Sequence, residues 1–173
     1  MNIICLTFSL ILHVCSKSAQ SFDVTPNLNI NLYRGVNSNG HWASSLTLPA
    51  GFTIESNFTI LNSPDFDTTL YFECTENGLN NFVSKDPKCE GKIVLSLLGY
   101  IYNNPVGKFK TALYRCLVPN GTPFIPNDHF ISTKVKCEQK RLINEGLLGF
   151  VSDNDKKESK ESKDNNNSKE KDD

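Results

Sequence analysis

Two arginines and two histidines recur at matching places in this chain, and their types suit the binding of a polar ligand. Arg34 is followed by His41, and Arg115 is followed by His129. An arginine offers a planar fork of donors, and a neutral histidine offers one donor and one acceptor. An aromatic residue follows each histidine and supplies a stacking face. Together these residues predict a small pocket for a sugar or a carboxylate, present more than once.

The predicted ligand-binding residues are Arg34, His41, Trp42, Arg115, Asp128 and His129. On this hypothesis, alanine at both arginines removes binding and leaves the fold intact. The structural alternative is that the arginines and histidines tie strand ends to backbone carbonyls. Glu90 and Glu138 would then accept hydrogen bonds from within the fold.

Asp128, His129 and Ser132 invite comparison with a hydrolytic triad. Adjacent residues of a strand point to opposite faces, which argues against Asp128 orienting the ring of His129. The chain has no nucleophile elbow of the form Gly-x-Ser-x-Gly. A residue repeated by internal symmetry is more typical of a structural tie or a repeated binding site than of an active site. We therefore predict a non-enzymatic protein with no cofactor and no metal site.

Four cysteines follow the same repetition. Cys74 and Cys89 belong to one copy, Cys116 and Cys137 occupy matching places in the next, and the first copy has neither. An even number of cysteines in a secreted chain predicts disulfides. Because the cysteines come in pairs within copies, we predict the bridges Cys74–Cys89 and Cys116–Cys137. A zinc site is disfavoured, since no close Cys-x-x-Cys pair is present.

Three versions of one pattern organise the chain, at about residues 30–66, 67–108 and 109–151. Their opening blocks are Leu32-Tyr33-Arg34-Gly35, Leu70-Tyr71-Phe72-Glu73-Cys74 and Leu113-Tyr114-Arg115-Cys116. A unit of this size cannot bury its own apolar face, so the three are expected to pack around a shared core.

The repeated blocks are short, rich in aromatic and β-branched residues, and bounded by Asn and Gly turns, which predicts strands. Only Lys92 to Leu98 and Gln139 to Leu148 look helix-like, over a turn or two each. We expect an all-β domain, a β-trefoil-like arrangement of three pseudo-symmetric repeats with two disulfides. A three-bladed or sandwich-like arrangement is the alternative.

The best copy of the pattern reads Leu113-Tyr114-Arg115, Asp128-His129-Phe130, Glu138 and Leu148-Gly149-Phe150. It resembles a repeat domain of unknown function on secreted proteins, often attached to cell-wall or polysaccharide hydrolases. The resemblance spans most of residues 30–151. Repeat two departs from it, with Phe72 and Asn81 in place of the arginine and the histidine. The resemblance implies a β-trefoil or lectin-like fold and a carbohydrate- or surface-binding role.

Both ends of the chain are predicted to lie outside the domain at 21–151. Residues 1–20 fit a signal peptide, because an apolar run from Ile3 to Cys15 is followed by small residues. That run is shorter than the roughly 20 apolar residues a membrane span needs. Residues 152–173 contain only Ser, Asp, Asn, Lys and Glu, which is typical of a disordered tail. N-glycosylation sequons begin at Asn57, Asn120 and Asn166.

Charge indicates which partners the domain would meet. Residues 21–151 contain eleven Lys and Arg against eleven Asp and Glu. A neutral domain has no electrostatic reason to bind nucleic acid or anionic lipid. We predict a secreted, extracellular, non-enzymatic module without a membrane span, which recognises glycans or another extracellular surface. The alternative is a secreted effector, immune-modulating or venom-type protein that acts on a protein partner.

Overall fold

A computed structural model describes residues 28–119 and 127–155 of the chain. Within them nine strands form one antiparallel sheet, which confirms the all-β class. The strands are β1 (Asn29–Asn37), β2 (Gly40–Ser44), β3 (Thr53–Leu61), β4 (Thr68–Thr75), β5 (Asn81–Ser84), β6 (Ile93–Tyr102), β7 (Thr111–Val118), β8 (Asp128–Ser132) and β9 (Ile143–Asp153). The expectation of helix-like structure at Lys92 to Leu98 and Gln139 to Leu148 is therefore wrong, because these segments lie mostly in β6 and β9. A single short 3₁₀ turn, Cys89–Gly91, precedes β6.

The strands fall into three units with the same internal pairing. In each unit the first strand forms a hairpin with the second and pairs along its other edge with the third. The hairpin β1–β2 turns through two residues, and Asn39 N–H donates to Asn37 Oδ1 at 2.8 Å. We call these units repeats one, two and three.

The repeats meet through their third and second strands. The third strands β3, β6 and β9 each pair with the other two near their ends. The short second strands β2, β5 and β8 contact one another. At the meeting of β6 with β3, a side chain on Gly99 would lie 2.7 Å from the carbonyl oxygen of Leu61, and its φ is 135°. Gly149 has the same role against Tyr102, so the repeated glycine permits close approach of two backbones.

The main core contains one residue from each repeat at four equivalent positions. Cross-strand pairing aligns three of these sets, which are Leu32, Tyr71 and Leu113; Ala43, Val83 and Ile131; and Ile60, Ile101 and Val151. In the fourth set Phe58 pairs with Leu32, whereas Leu98 and Leu148 lie at a bulge, one residue before the glycines that pair with Tyr71 and Leu113. None of these residues is more than 9% exposed. The three repeats thus share one core, as the length of a single unit requires.

Both predicted disulfides are confirmed. Cys74 is bonded to Cys89 and Cys116 to Cys137, with Cα–Cα distances of 5.6 and 5.7 Å. Each bridge joins the first strand of its repeat to the turn before the third strand. Each also lies in a small apolar cluster, with Phe82 in repeat two and Phe130 in repeat three.

The last strand, β9, continues to Asp153, two residues past the domain boundary expected after Val151. Ser152 is 5% exposed and pairs with Thr59. The side chain of Thr59 donates to Asn154 Oδ1 at 3.0 Å, and the Asn154 N–H donates to Asn57 O at 3.2 Å. Composition alone could not reveal this, since a strand edge pairs through its backbone. The predicted signal segment and residues 156–173 lie outside the described residues.

Two truncations test this boundary. A chain ending at Val151 is expected to lose about 2–3 kcal/mol of unfolding free energy, at about 1 kcal/mol for each hydrogen bond removed. A chain ending at Asp155 keeps every one of these bonds and is expected to match the full chain within about 0.5 kcal/mol. Urea denaturation followed by tryptophan fluorescence measures both. Equal stability of the two truncations would contradict the contribution of residues 152–155.

Candidate functional site

The motif residues lie at junctions where one repeat packs on the next. At the junction of repeats one and three, Arg34 extends from β1 into repeat three and is only 7% exposed. Its NH1 donates to Ile131 O at 2.9 Å and to Glu138 Oε1 at 2.7 Å. Its Nε lies 2.9 Å from Glu55 Oε2, but the N–H is not aligned for a hydrogen bond, so this contact is an ion pair. Its guanidinium also lies over the ring of Phe130.

The same arrangement recurs at the junction between repeat two and repeat three. Arg115 NH1 donates to Val83 O at 3.2 Å and to the carboxylate of Glu90, and its Nε lies 3.0 Å from Glu145 Oε2. The guanidinium lies over the ring of Phe82. This arginine is the more accessible of the two, with 18% of its side chain exposed against 9% for Arg34.

The glutamates that receive the arginines are held by an unusual turn. The backbone is left-handed at four non-glycine residues of the two turns, Cys89, Glu90, Cys137 and Glu138. Such a conformation costs of order 1–3 kcal/mol per residue and persists only where its surroundings fix it. Here the disulfides fix the cysteines, and a serine of the preceding strand donates to each carboxylate at 2.8 or 2.9 Å. The left-handed turn therefore points each glutamate towards the neighbouring repeat.

The histidine of repeat one contacts the aspartate of repeat three. His41 Nδ1 lies 2.7 Å from Asp128 Oδ2, and the backbone N–H of His41 donates to Asp128 Oδ1 at 2.8 Å. The other ring nitrogen of His41 lies 3.6 Å from Glu55 Oε2. Its ring stacks on Phe130, with centroids 4.9 Å apart.

The triad hypothesis is not supported by these contacts. Asp128 bonds His41 rather than its sequence neighbour His129. The ring of His129 instead lies 3.0 Å from Asn80 Oδ1, through Nδ1, and 3.4 Å from Glu145 through Nε2. Ser132 donates to Glu138. An aspartate, a histidine and a serine that lie close in sequence thus serve three different contacts.

At the third junction, between repeats one and two, an acidic residue takes the place that an arginine has at the other two. Pairing places Arg34 opposite Ala43 and Glu73 opposite Val83, so Glu73 occupies the arginine position of repeat two. The alignment that put Phe72 there is wrong by one residue. Aligning repeats two and three on Cys74 and Cys116, rather than on the Leu-Tyr pairs, would have placed Glu73 opposite Arg115.

Glu73 is a buried carboxylate satisfied by neutral donors. It is 5% exposed and accepts hydrogen bonds from Trp42 Nε1 at 2.8 Å, Ser44 Oγ at 2.8 Å and Ser96 Oγ at 3.1 Å. Trp42 stands where repeats two and three have phenylalanine, so an indole N–H is present at the junction where the carboxylate has no arginine to donate to it. Asn81, at the histidine position of repeat two, is 1% exposed and donates to the same carboxylate over 3.4 Å.

Three of the junction carboxylates, those of Glu90, Glu138 and Glu145, have a pKa below the usual value. A hydrogen bond from Arg115 lowers the pKa of Glu90 most, with a smaller contribution from Ser84. Burial raises the pKa of Glu138, but hydrogen bonds from Arg34 and Ser132 outweigh it and the net shift is downward. The pKa of Glu145 is also lowered: burial raises it, and His129 and Arg115 together more than compensate.

These shifts predict acid sensitivity. A carboxylate whose folded-state pKa lies below its usual value near 4.5 contributes stability above that pH. The contribution is lost as pH falls through the folded-state pKa. Unfolding free energy is therefore expected to hold between about pH 5 and 7 and to fall below about pH 4.5. The Glu138→Gln variant cannot titrate at this position and should show a smaller fall between about pH 5 and 3 in urea titrations. An identical fall would contradict the assignment.

One cavity lies at a junction and another lies on the surface of repeat one. A pocket of about 170 Å³ lies at the junction of repeats two and three, against Arg115, Glu90, Glu145 and Lys85. An open groove of about 500 Å³ lies mainly on repeat one, beside Lys108 of the segment between β6 and β7, and we call it the repeat-one groove. It is lined by Asn29, Ile30, Asn31, Tyr33, Ser45, Leu46, Thr59 and Lys108.

The structure places one predicted glycosylation site in the sheet. Asn57 is half-buried in β3, and its Oδ1 is buried without a hydrogen-bond partner among the described residues. The hydroxyl of its sequon partner Thr59 bonds Asn154. The sequons at Asn120 and Asn166 lie outside the described residues, so occupancy of all three stays a prediction.

The six predicted ligand residues therefore all lie at the junctions and all contact other repeats. Their role in ligand binding stays a prediction, while the structural alternative gains a named contact for each arginine and histidine. Residues 28–119 and 127–155 contain no cluster of three or more metal-ligating side chains. No helix in that part of the chain is long and apolar enough to cross a membrane. Comparisons with known protein families, curated proteins and solved structures found no match.

Proposed function

We propose that this chain is a secreted, non-enzymatic binding module that recognises glycans on an extracellular surface. The observation that carries the proposal is the repeat-one groove, whose polar lining is mostly neutral amides and hydroxyls. Such groups hydrogen-bond sugar hydroxyls as both donors and acceptors. The charged motif residues are, by contrast, already paired with one another at the junctions.

Secretion and fold class are parts of the same proposal. Two disulfides suit an oxidising compartment, and the apolar N-terminal run suits export. Threefold repetition of a hairpin and a returning strand supports a β-trefoil-like arrangement. Each repeat supplies three strands, which leaves the three-bladed arrangement as the competing description.

A glycan array tests the proposal directly. The full chain, labelled and in its oxidised form, is applied to immobilised glycans that include neutral, carboxylated and sulfated members. Reproducible binding that free glycan competes away would support a glycan-binding module. Absence of binding to every class would overturn the proposal.

A second candidate function is contact with a protein partner, and one observation favours it. The first half of β6 pairs only with β4 among the described residues, so its other edge is open. Ile93, Val94, Leu95 and Leu97 on this half are 43–63% exposed. Glu55 and Glu145 occupy the position of Leu95 in the other repeats. An uncharged, apolar edge is suited to pairing with an added strand.

Cell binding separates the two functions. If the partner is a protein, treating cells with protease should remove binding, and treating them with glycosidases should not. The double variant Leu95→Lys/Leu97→Lys should then bind weakly, because charge on an edge strand opposes pairing. If glycosidases remove binding and the double variant binds normally, the glycan function is the correct one.

A further inference from the structure

Repeat one differs from the other two in a way that points to a site. It lacks the disulfide of repeats two and three. Its first strand contains asparagines, and the first strands of the other two repeats contain none. Alignment through the core places Asn31 where repeat two has Leu70 and repeat three has Ala112. An amide at a position that is apolar in both other copies has no part in the shared architecture.

The repeat-one groove is formed around this amide. Asn31 is exposed, and its Nδ2 donates to the hydroxyl oxygen of Tyr33 at 3.0 Å. That bond leaves the Tyr33 proton and the Asn31 carbonyl oxygen to face a ligand. Ser45 from the segment after β2 lines the same groove. The groove therefore presents a donor, an acceptor and a half-buried aromatic ring within one repeat.

The charge of the groove selects among ligands. Lys108 is its one charged lining residue among the described residues, and no Asp or Glu lines it. Lys108 is exposed, and its Nζ lies 5.2 Å from the ring centre of Phe109. A neutral polar groove with a single cation is complementary to a hydroxyl-rich ligand that carries an anionic group.

We infer that the repeat-one groove binds an acidic saccharide. Asn31, Tyr33 and Ser45 bond its hydroxyls, and the ammonium of Lys108 meets its carboxylate or sulfate. This inference rests on the proposed glycan-binding function and names its site and ligand class. It also moves the site away from the arginines and histidines of the junctions, whose donors are used between repeats.

Calorimetric titration with three probes of equal length tests the inference: a hexuronic acid oligosaccharide, a sulfated oligosaccharide and a neutral oligosaccharide. Lys108→Gln is expected to weaken binding of the acidic probe roughly tenfold, because a charge-assisted hydrogen bond is lost. Asn31→Leu, which installs the side chain that repeat two carries, should weaken it by a similar factor. The two acidic probes distinguish carboxylate from sulfate as the recognised group.

Lys110→Gln is the matched control, because Lys110 is exposed two residues away and does not line the groove. It should bind the acidic probes like the unmodified chain. Equal losses in Lys108→Gln and Lys110→Gln would indicate general attraction to basic charge and overturn the inference. Unchanged binding in both groove variants, with the glycan array positive, would place the site elsewhere and leave the proposed function standing. A negative array would overturn both.

Discussion

Arg34→Ala is expected to lower the unfolding free energy by about 2–4 kcal/mol, because it removes a buried arginine from two partly buried glutamates. Ile131 O and Glu138 each lose the hydrogen bond that Arg34 donates, and Glu55 loses its counter-charge. From sequence we expected alanine at both arginines to leave the fold intact. The junction contacts lead us to expect the opposite. Urea denaturation at neutral pH measures the loss.

Arg141→Ala is the matched control for this prediction. Arg141 is exposed, so its substitution should change stability by no more than about 0.5 kcal/mol. Arg115→Ala should fall between the two, because its side chain is twice as exposed as that of Arg34. If Arg34→Ala unfolds at the same urea concentration as Arg141→Ala, the junction ion pairs contribute nothing measurable to the fold.

Removing the disulfides is expected to have an effect of similar size. The bridged residues are 15 and 21 positions apart. In the chain-entropy model, closing loops of this length stabilises by roughly 3 kcal/mol each. Loss of both would cost about 6 kcal/mol, which is comparable to the whole stability of a marginal domain at about 5–15 kcal/mol. The fully reduced chain should therefore unfold at a much lower urea concentration than the oxidised chain.

Two double variants separate the bridges, Cys74→Ala/Cys89→Ala and Cys116→Ala/Cys137→Ala. The second is expected to lose slightly more stability, since its loop is longer. Each double variant also releases the left-handed turn that holds its glutamate, Glu90 or Glu138. Circular dichroism during thermal unfolding measures both. Stability unchanged on reduction of the native chain would contradict the entropic contribution of the bridges.

Sequence was sufficient for features that are local or repeated. The pairing of Cys74 with Cys89 and of Cys116 with Cys137 could be predicted because each pair lies within one copy of the repeat. The all-β class could be predicted because turn residues and β-branched blocks alternate at short spacing. Glu73 could in principle have been placed correctly as well, since the cysteine that follows it fixes the alignment.

The tertiary structure alone decided which side chains meet across the junctions. Arg34 and Glu138 are 104 positions apart, and His41 and Asp128 are 87 apart. The repeats share one pattern, so sequence cannot say which copy a side chain extends into. The boundary of β9 was hidden for a related reason: Ser152 and Asp153 pair through their backbones, which composition does not reveal. The sequence of a repeat thus specifies its own strands and disulfide. The contacts between repeats depend on which repeat lies beside which around the shared core.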